Sequence, residues 1–259
     1  MRALELFDLT GKAAIVTGGG SGLGLQMAHA LGECGARLVL CARREERCVA
    51  AAEELGKEGI EAIGLRCDVR EIGEVNAVVD RTIAEFGRVD ILVNNAGTSW
   101  KAAPEEVTSD GWDKVLDVNL KGTFLFSQTV GRTMIERGEG GKIINISSFT
   151  AFRGLDPAEL DALPYTTSKG GVVSLTIDLA VKWARHGIHV NAIAPGWFHS
   201  DMTTLVFDRA GEAITKKLPL GRLGGVDDLK GAVVYFASRA SDYTTGQVLA
   251  VDGGALARW

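Results

Sequence analysis

Ala13-Ala14-Ile15-Val16-Thr17 leads without a break into Gly18-Gly19-Gly20-Ser21-Gly22-Leu23-Gly24, and an apolar helical pattern starts inside the glycines. No other stretch restricts the fold as much. An unbroken apolar run reads as a strand covered on both faces, since a half-exposed strand alternates with polar residues. Glycines at that density end the strand in a tight turn, and the helix that follows has to pack back on the strand. Strand, turn and helix in that order open a parallel sheet with crossover connections.

The rest of the chain keeps the same rhythm. Strands are predicted at residues 13–17, 37–41, 62–67, 90–94, 142–147, 189–194 and 248–252, and helices at 22–34, 45–57, 72–86, 110–137, 165–185 and 227–238. Val172, Thr176, Leu179 and Trp183 recur at helical spacing and form a stripe that faces the sheet or another helix. There is no repeat, linker or low-complexity stretch, so residues 1–259 are read as one α/β domain: a doubly wound parallel sheet of seven strands with helices on both faces. Such a sheet binds its ligand at the carboxyl ends of its strands. The 259 residues are 46% hydrophobic, enough for one large core, and 33 glycines against 5 prolines fit many tight turns.

Charge and cysteine usage exclude several classes. A net charge of −5 argues against a nucleic-acid partner, which demands a surplus of Lys and Arg. No apolar run approaches the ~18 residues of a membrane span, and a cytoplasmic protein is expected. Cys34, Cys41, Cys48 and Cys67 have no C-x-x-C spacing, and His29, His186, His189 and His199 are scattered, so no metal site is expected.

The glycine turn is itself a candidate site. Missing side chains let backbone N–H groups approach a pyrophosphate, and the helix N-terminus favours the anion. The spacing is G-x-x-x-G-x-G, at Gly18, Gly22 and Gly24, with Ser21 and Leu23 inside the loop. About 20 residues beyond the loop, at the end of the second strand, an Asp or Glu would grip an adenosine ribose 2′-hydroxyl. Here stands Cys41-Ala42-Arg43-Arg44. With no carboxylate there and a planar guanidinium at Arg43, the expected cofactor is NADP rather than NAD.

Further segments complete a pattern: Cys67-Asp68-Val69, Asn94-Asn95-Ala96-Gly97, Asn119, Ser148, Tyr165-x-x-x-Lys169 and Pro195-Gly196. In this order, and over nearly the whole chain, the sequence resembles the short-chain dehydrogenase/reductase family. The resemblance implies a Rossmann-type fold, with Asp68 and Val69 at the adenine, Asn95, Ala96 and Gly97 beside the cofactor, and Pro195 and Gly196 near the nicotinamide. It also implies a homotetramer, a role for Lys169 on the nicotinamide ribose, and a water held by Asn119 that relays protons to Lys169.

The residues themselves indicate acid–base chemistry on an alcohol or ketone. Tyr165 and Lys169 lie one helical turn apart, and an ammonium beside a phenol favours the phenolate and lowers its pKa. Ser147 and Ser148 close the fifth strand, where one hydroxyl can hold the substrate oxygen; the resemblance selects Ser148. The expected activity is NADP-dependent hydride transfer between a secondary alcohol and a ketone. A non-catalytic dinucleotide sensor would have lost part of the catalytic set, and a sugar-nucleotide epimerase would want a further substrate domain.

Substrate identity is less constrained. Ala194-Pro195-Gly196-Trp197 with Met202-Thr203 is similar to gluconate 5-dehydrogenases, while the segment from Asn95 to Trp100 is shared in style with 3-oxoacyl-carrier-protein reductases. Relative to the family, the stretch between Ser148 and Tyr165 is a few residues longer, and Ser200 stands where Thr is frequent. The pocket is expected from residues 149–163, Trp100 and residues 197–207, under a lid near 200–217. Asp156, Glu159 and Asp161 outnumber Arg153, so a rim of carboxylates favouring a neutral substrate is expected; were they to face solvent, Arg153, Lys216 or Lys217 could receive a carboxylate instead. The succession Val233-Val234-Tyr235-Phe236, with the last strand, is read as apolar surface for assembly.

Overall fold

The computed structural model describes residues 2–199 and 204–258. Seven strands form one wholly parallel sheet: β1 (Ala13–Thr17), β2 (Arg37–Ala42), β3 (Ala62–Arg66), β4 (Ile91–Asn94), β5 (Gly141–Ile146), β6 (Ile188–Pro195) and β7 (Val248–Val251). Their spatial order is β3-β2-β1-β4-β5-β6-β7, so the chain winds outward from β1 in one direction and from β4 in the other. The crevice between the carboxyl ends of β1 and β4 is the switch point where such sheets bind ligands.

β1 is buried at all five positions because it serves two layers. Ala14 and Val16 point into a core with helices α1 (Gly22–Glu33), α2 (Glu45–Lys57) and α8 (Lys230–Ala237), where Met27, Leu31, Leu55, Val233 and Phe236 meet. Ala13 and Ile15 point into the opposite core, with α3 (Ile72–Phe86), α5 (Gly122–Arg137) and α6 (Leu163–Trp183) supplying Val79, Phe126, Met134 and Leu179. The Val172–Thr176–Leu179 stripe of α6 lies buried against the sheet, where Thr176 accepts a hydrogen bond from Asn145 of β5.

Two expectations are corrected. The helix predicted over 110–137 is α4 (Ser109–Leu116), a π turn (Asp117–Lys121) and α5. The π turn inserts a residue where Asn119 is drawn out to bond the Thr98 backbone and Ser168. The apolar run on α8 offers little exposed apolar surface: Val233, Val234 and Phe236 are buried inside the subunit. Of the segment read as a lid, residues 200–203 lie outside the described residues, and Thr204–Lys217 is helix α7. Its Ile214, and Leu218 just beyond, join Phe149, Trp197 and Ala255 in a third apolar cluster.

At the amino end of the sheet, away from the crevice, Asp90 is the hub of an ionic cluster. Its carboxylate accepts from the Ala13 backbone at 3.1 Å, from Arg88 at 2.7 and 2.6 Å and from Arg137 at 3.3 Å, with Lys12 at 3.7 Å. Burial alone would raise its pKa, but these partners hold it below the usual carboxylate range. Among the described residues no helix is long and apolar enough to cross a membrane, and no cluster of His, Cys, Asp and Glu could hold a metal ion.

Candidate active site

The end of β1 is shaped by contacts that leave no room for side chains. Gly18 and Gly22 adopt positive φ of 65° and 54°. A Cβ at Gly24 would lie 2.3 Å from the Gly18 carbonyl oxygen and 2.5 Å from Asn95 Nδ2, so Gly24 clamps helix to loop and does not line the cleft. Asn95 Nδ2 donates to the carbonyls of Thr17 and Gly18. The Thr17 hydroxyl accepts from the backbone N–H groups of Asn95 and Ala96, at 2.9 and 3.0 Å.

Above these contacts opens a cleft of about 370 Å³. It brings together Gly18, Ser21, Gly22, Leu23, Arg43, Asp68, Val69, Asn95, Ala96 and Gly97, all residues the sequence assigned to a cofactor. Ser21 caps α1 without a side-chain hydrogen bond, so the first-turn N–H groups face the cleft as anion donors. Arg43 is exposed at the end of β2, with Arg44 and Arg47 beside it. The one acid in the lining, Asp68, is engaged by Arg70 at 2.6 to 3.2 Å, which holds its carboxyl below the usual range. A glycine cradle, free helix N–H groups and the exposed guanidinium of Arg43 at the ribose end fit a phosphorylated dinucleotide.

A second cavity of about 110 Å³ shares Leu23, Asn95 and Gly97 with the cleft. Ser148, Tyr165, Lys169, Pro195, Gly196 and Trp197 line it, together with Phe149, Thr150, Leu160 and Phe198. Lys169, on α6, donates from Nζ to the Ile146 carbonyl at 2.6 Å and lies 5.7 Å from the Tyr165 ring centroid. Ser147 gives its hydroxyl to the Lys169 carbonyl and so ties α6 to β5, leaving Ser148 as the serine for a ligand. Asn119 stands one layer back: its amide bonds Thr98 and Ser168, and Ser168 bonds the Tyr165 carbonyl. A Cβ at Gly97 would stand 3.5 Å from Asn119 Oδ1 and 3.9 Å from Lys169 Nζ, so glycine keeps the gap between them open.

The electrostatics reverse one expectation. Burial pushes the Tyr165 phenol up, only partly offset by its hydrogen bond with Ser148, and burial also pushes Lys169 down to about 8. Desolvation outweighs the ammonium, so the phenol holds its proton at neutral pH and is set as a donor.

Two expectations about the pocket also change. Trp100 does not line it; the indole packs over Gly111 on α4, where a Cβ would lie 2.6 Å from the ring, and Lys114 sits over its face. Nor do the acids rim it: none of Asp156, Glu159 and Asp161 lines the cavity. Glu159 pairs with Lys217, and Asp156 caps the Ala158 backbone, while Lys101 and Lys169 are the ionic lining. Trp197 does wall the pocket, edge-on to Phe149 at 5.6 Å and to Phe207 at 5.9 Å. Ser200, Met202 and Thr203 lie outside the described residues.

Sequence reasoning passed over Thr150. Its hydroxyl donates to Ser148 Oγ at 3.0 Å and its backbone N–H donates to the same oxygen at 3.2 Å. A hydroxyl has two acceptor positions and one proton. With both acceptors filled, the Ser148 proton can only be given away, toward Tyr165 or a ligand oxygen. A hydroxyl two residues beyond the strand-end serine was the available signal.

A family model described as enoyl-(acyl carrier protein) reductase matches residues 18–255. The chain is 42% identical over 258 residues to the 2-dehydro-3-deoxy-D-gluconate 5-dehydrogenase of Dickeya dadantii (strain 3937), covering 98% of this chain and 99% of that protein. It superimposes with a TM-score of 0.94 on a short-chain type dehydrogenase/reductase from Mycobacterium marinum, at 36% identity over 98% of this chain and 99% of that one. A gluconate 5-dehydrogenase from Burkholderia cenocepacia J2315, solved in complex with NADP and tartrate, gives a TM-score of 0.94 at 40% identity, with both chains fully covered.

Thr150→Val, which keeps the shape and removes the hydroxyl, is expected to lower kcat about tenfold with little change in KM for NADPH, whereas Thr150→Ser retains most activity. Steady-state kinetics check this, and equal losses in the two variants would remove the hydroxyl from the argument.

Proposed function

Since the chain belongs to the short-chain dehydrogenase/reductase family, we propose that it is an NADP-dependent oxidoreductase interconverting a secondary alcohol and a ketone on a polyhydroxy acid of the gluconate type. The observation that carries the reading is the convergence of Ser148, Tyr165 and Lys169 on one cavity that opens into the glycine-lined cleft. Full-length relatives near 40% identity named for gluconate-type substrates support the substrate class, as does a pocket whose ionic lining is cationic.

NADP, when bound, supplies or accepts the hydride. Arg43 would offer its guanidinium to a 2′-phosphate, the α1 N-terminus would take the pyrophosphate, and Pro195 and Gly196 would border the nicotinamide end. Ser148 donates to the substrate oxygen and fixes its orientation. In reduction Tyr165 gives its proton to that oxygen; in oxidation the phenolate takes the proton back, and the Lys169 ammonium stabilises the anion. The water through which the proton is replaced would stand beside Lys169, on the side of the site that Asn119 positions through Thr98 and Ser168.

We further propose a homotetramer in the cytoplasm. Phe124 on α5, Ile177 and Val181 on α6 and Leu249 on β7 are apolar and exposed, at 39%, 47%, 77% and 40%, which supports covered faces in an assembly. The four cysteines are free thiols, as a reducing compartment maintains them.

Tyr165→Phe is expected to abolish turnover in both directions and leave NADPH affinity within about twofold. Because burial raises the phenol, wild-type reduction should hold through neutral pH and fall in alkali, while alcohol oxidation should climb as the solution is made alkaline. Flat profiles, or a tenth of wild-type rate in Tyr165→Phe, would take Tyr165 out of the proton transfer. Arg43→Ser should weaken NADPH about ten- to a hundredfold by fluorescence titration and leave NADH nearly unchanged. Light scattering should give about four times the 27.5 kDa protomer mass, and a monomer mass would refute the assembly.

A further inference from the structure

Beside the catalytic cavity lies another of about 270 Å³, and the two share Phe149 and Trp197. Three distant segments meet around it. Arg153 comes from the stretch after Ser148, Lys217 from the end of α7 and Arg258 from the last described residues, over an apolar floor that includes Ile214 and Leu218. The only acid in the lining is Glu159, and Lys217 already neutralises it. Arg153 and Arg258 therefore leave two positive charges without a carboxylate partner among the described residues.

Neither guanidinium is loose. Arg153 Nη1 donates to the Ala255 carbonyl at 2.9 Å, and Arg258 Nη1 donates to the Lys217 carbonyl at 2.7 Å, at the carboxyl end of α7. Each bond occupies one donor of a five-donor fork and fixes its plane, so the remaining N–H groups are held ready for a planar anion. A carboxylate fits that geometry in bidentate fashion, and Phe149 and Trp197 are the walls that this cavity shares with the catalytic one.

The geometry points to a carboxylate subsite formed by Arg153 and Arg258, which takes the acid end of the substrate while its carbinol lies against Ser148 and Tyr165. This rests on the reading that the substrate is a gluconate-type acid, and adds where its charge is bound. Both Arg153 and the Glu159 that pairs with Lys217 come from the stretch after Ser148.

The test compares D-gluconate with D-glucitol, the uncharged alcohol of the same carbon chain, using NADP and the whole protein. Wild type should favour D-gluconate in kcat/KM. Arg153→Gln and Arg258→Gln should each lower that value for D-gluconate about ten- to a hundredfold, mainly through KM, as expected for a lost charge-assisted pair. Their kcat/KM for D-glucitol should stay within about twofold of wild type, and that neutral substrate also reports a folded enzyme. If wild type prefers D-gluconate but the variants lose both activities together, or neither, the subsite is wrong and the gluconate reading stands. If wild type fails to oxidise D-gluconate, whatever it does with D-glucitol, the gluconate reading fails and takes the subsite with it.

Discussion

One side-chain hydroxyl holds apart the two halves of the sheet where a ligand must enter. At the switch point the chains leaving β1 and β4 diverge, and the N–H groups of Asn95 and Ala96 have no strand to pair with. Thr17 Oγ1 accepts both, and Asn95 returns its amide to the carbonyls of Thr17 and Gly18. Buried backbone donors must be met somewhere, and here they are met without closing the crevice. The glycine turn, the pitch of α1 and the cleft above them follow from that arrangement.

The reactive end is organised around a buried cation. Lys169 is inserted between α6 and β5, where the Ile146 carbonyl is its fixed partner and Ser147 secures the helix that carries it. Desolvation brings its pKa toward neutrality and keeps the neighbouring phenol protonated. Such a site is poised between charge states, so the charge of whatever binds in the cleft can tip it.

The fold was legible because burial on both sides of a sheet writes itself as uninterrupted apolar runs: β1, α2 and α3 occupy the ranges their periodicity predicts. The cleft residues were legible because glycine spacing has few other uses. What stayed hidden depends on contacts between distant segments. The π turn at Asn119 answers to Thr98 and Ser168, Trp100 turned away because Gly111 leaves a berth for its ring, and Glu159 is masked by Lys217 from another helix. Local pattern also cannot say which partner covers an apolar helix, so α8 looked like an interface although α1 and the sheet cover it.

The sheet is chemically polarised along its strands. Its carboxyl end presents N–H groups and guanidinium to an anion, while its amino end gathers Lys12, Arg88 and Arg137 around the buried carboxylate of Asp90, with the exposed Glu139 on the outer side of the two arginines. Because that carboxyl titrates lower in the folded chain than in the unfolded one, it stabilises the fold above the ordinary carboxylate range and loses that contribution as pH falls through its own value. Protonating it would remove the buried counter-charge that the three cations share beneath β1 and β4, leaving only the exposed Glu139 beside Arg88 and Arg137. Acid therefore weakens the end of the sheet farthest from the chemistry, where the two strands whose carboxyl ends define the crevice begin.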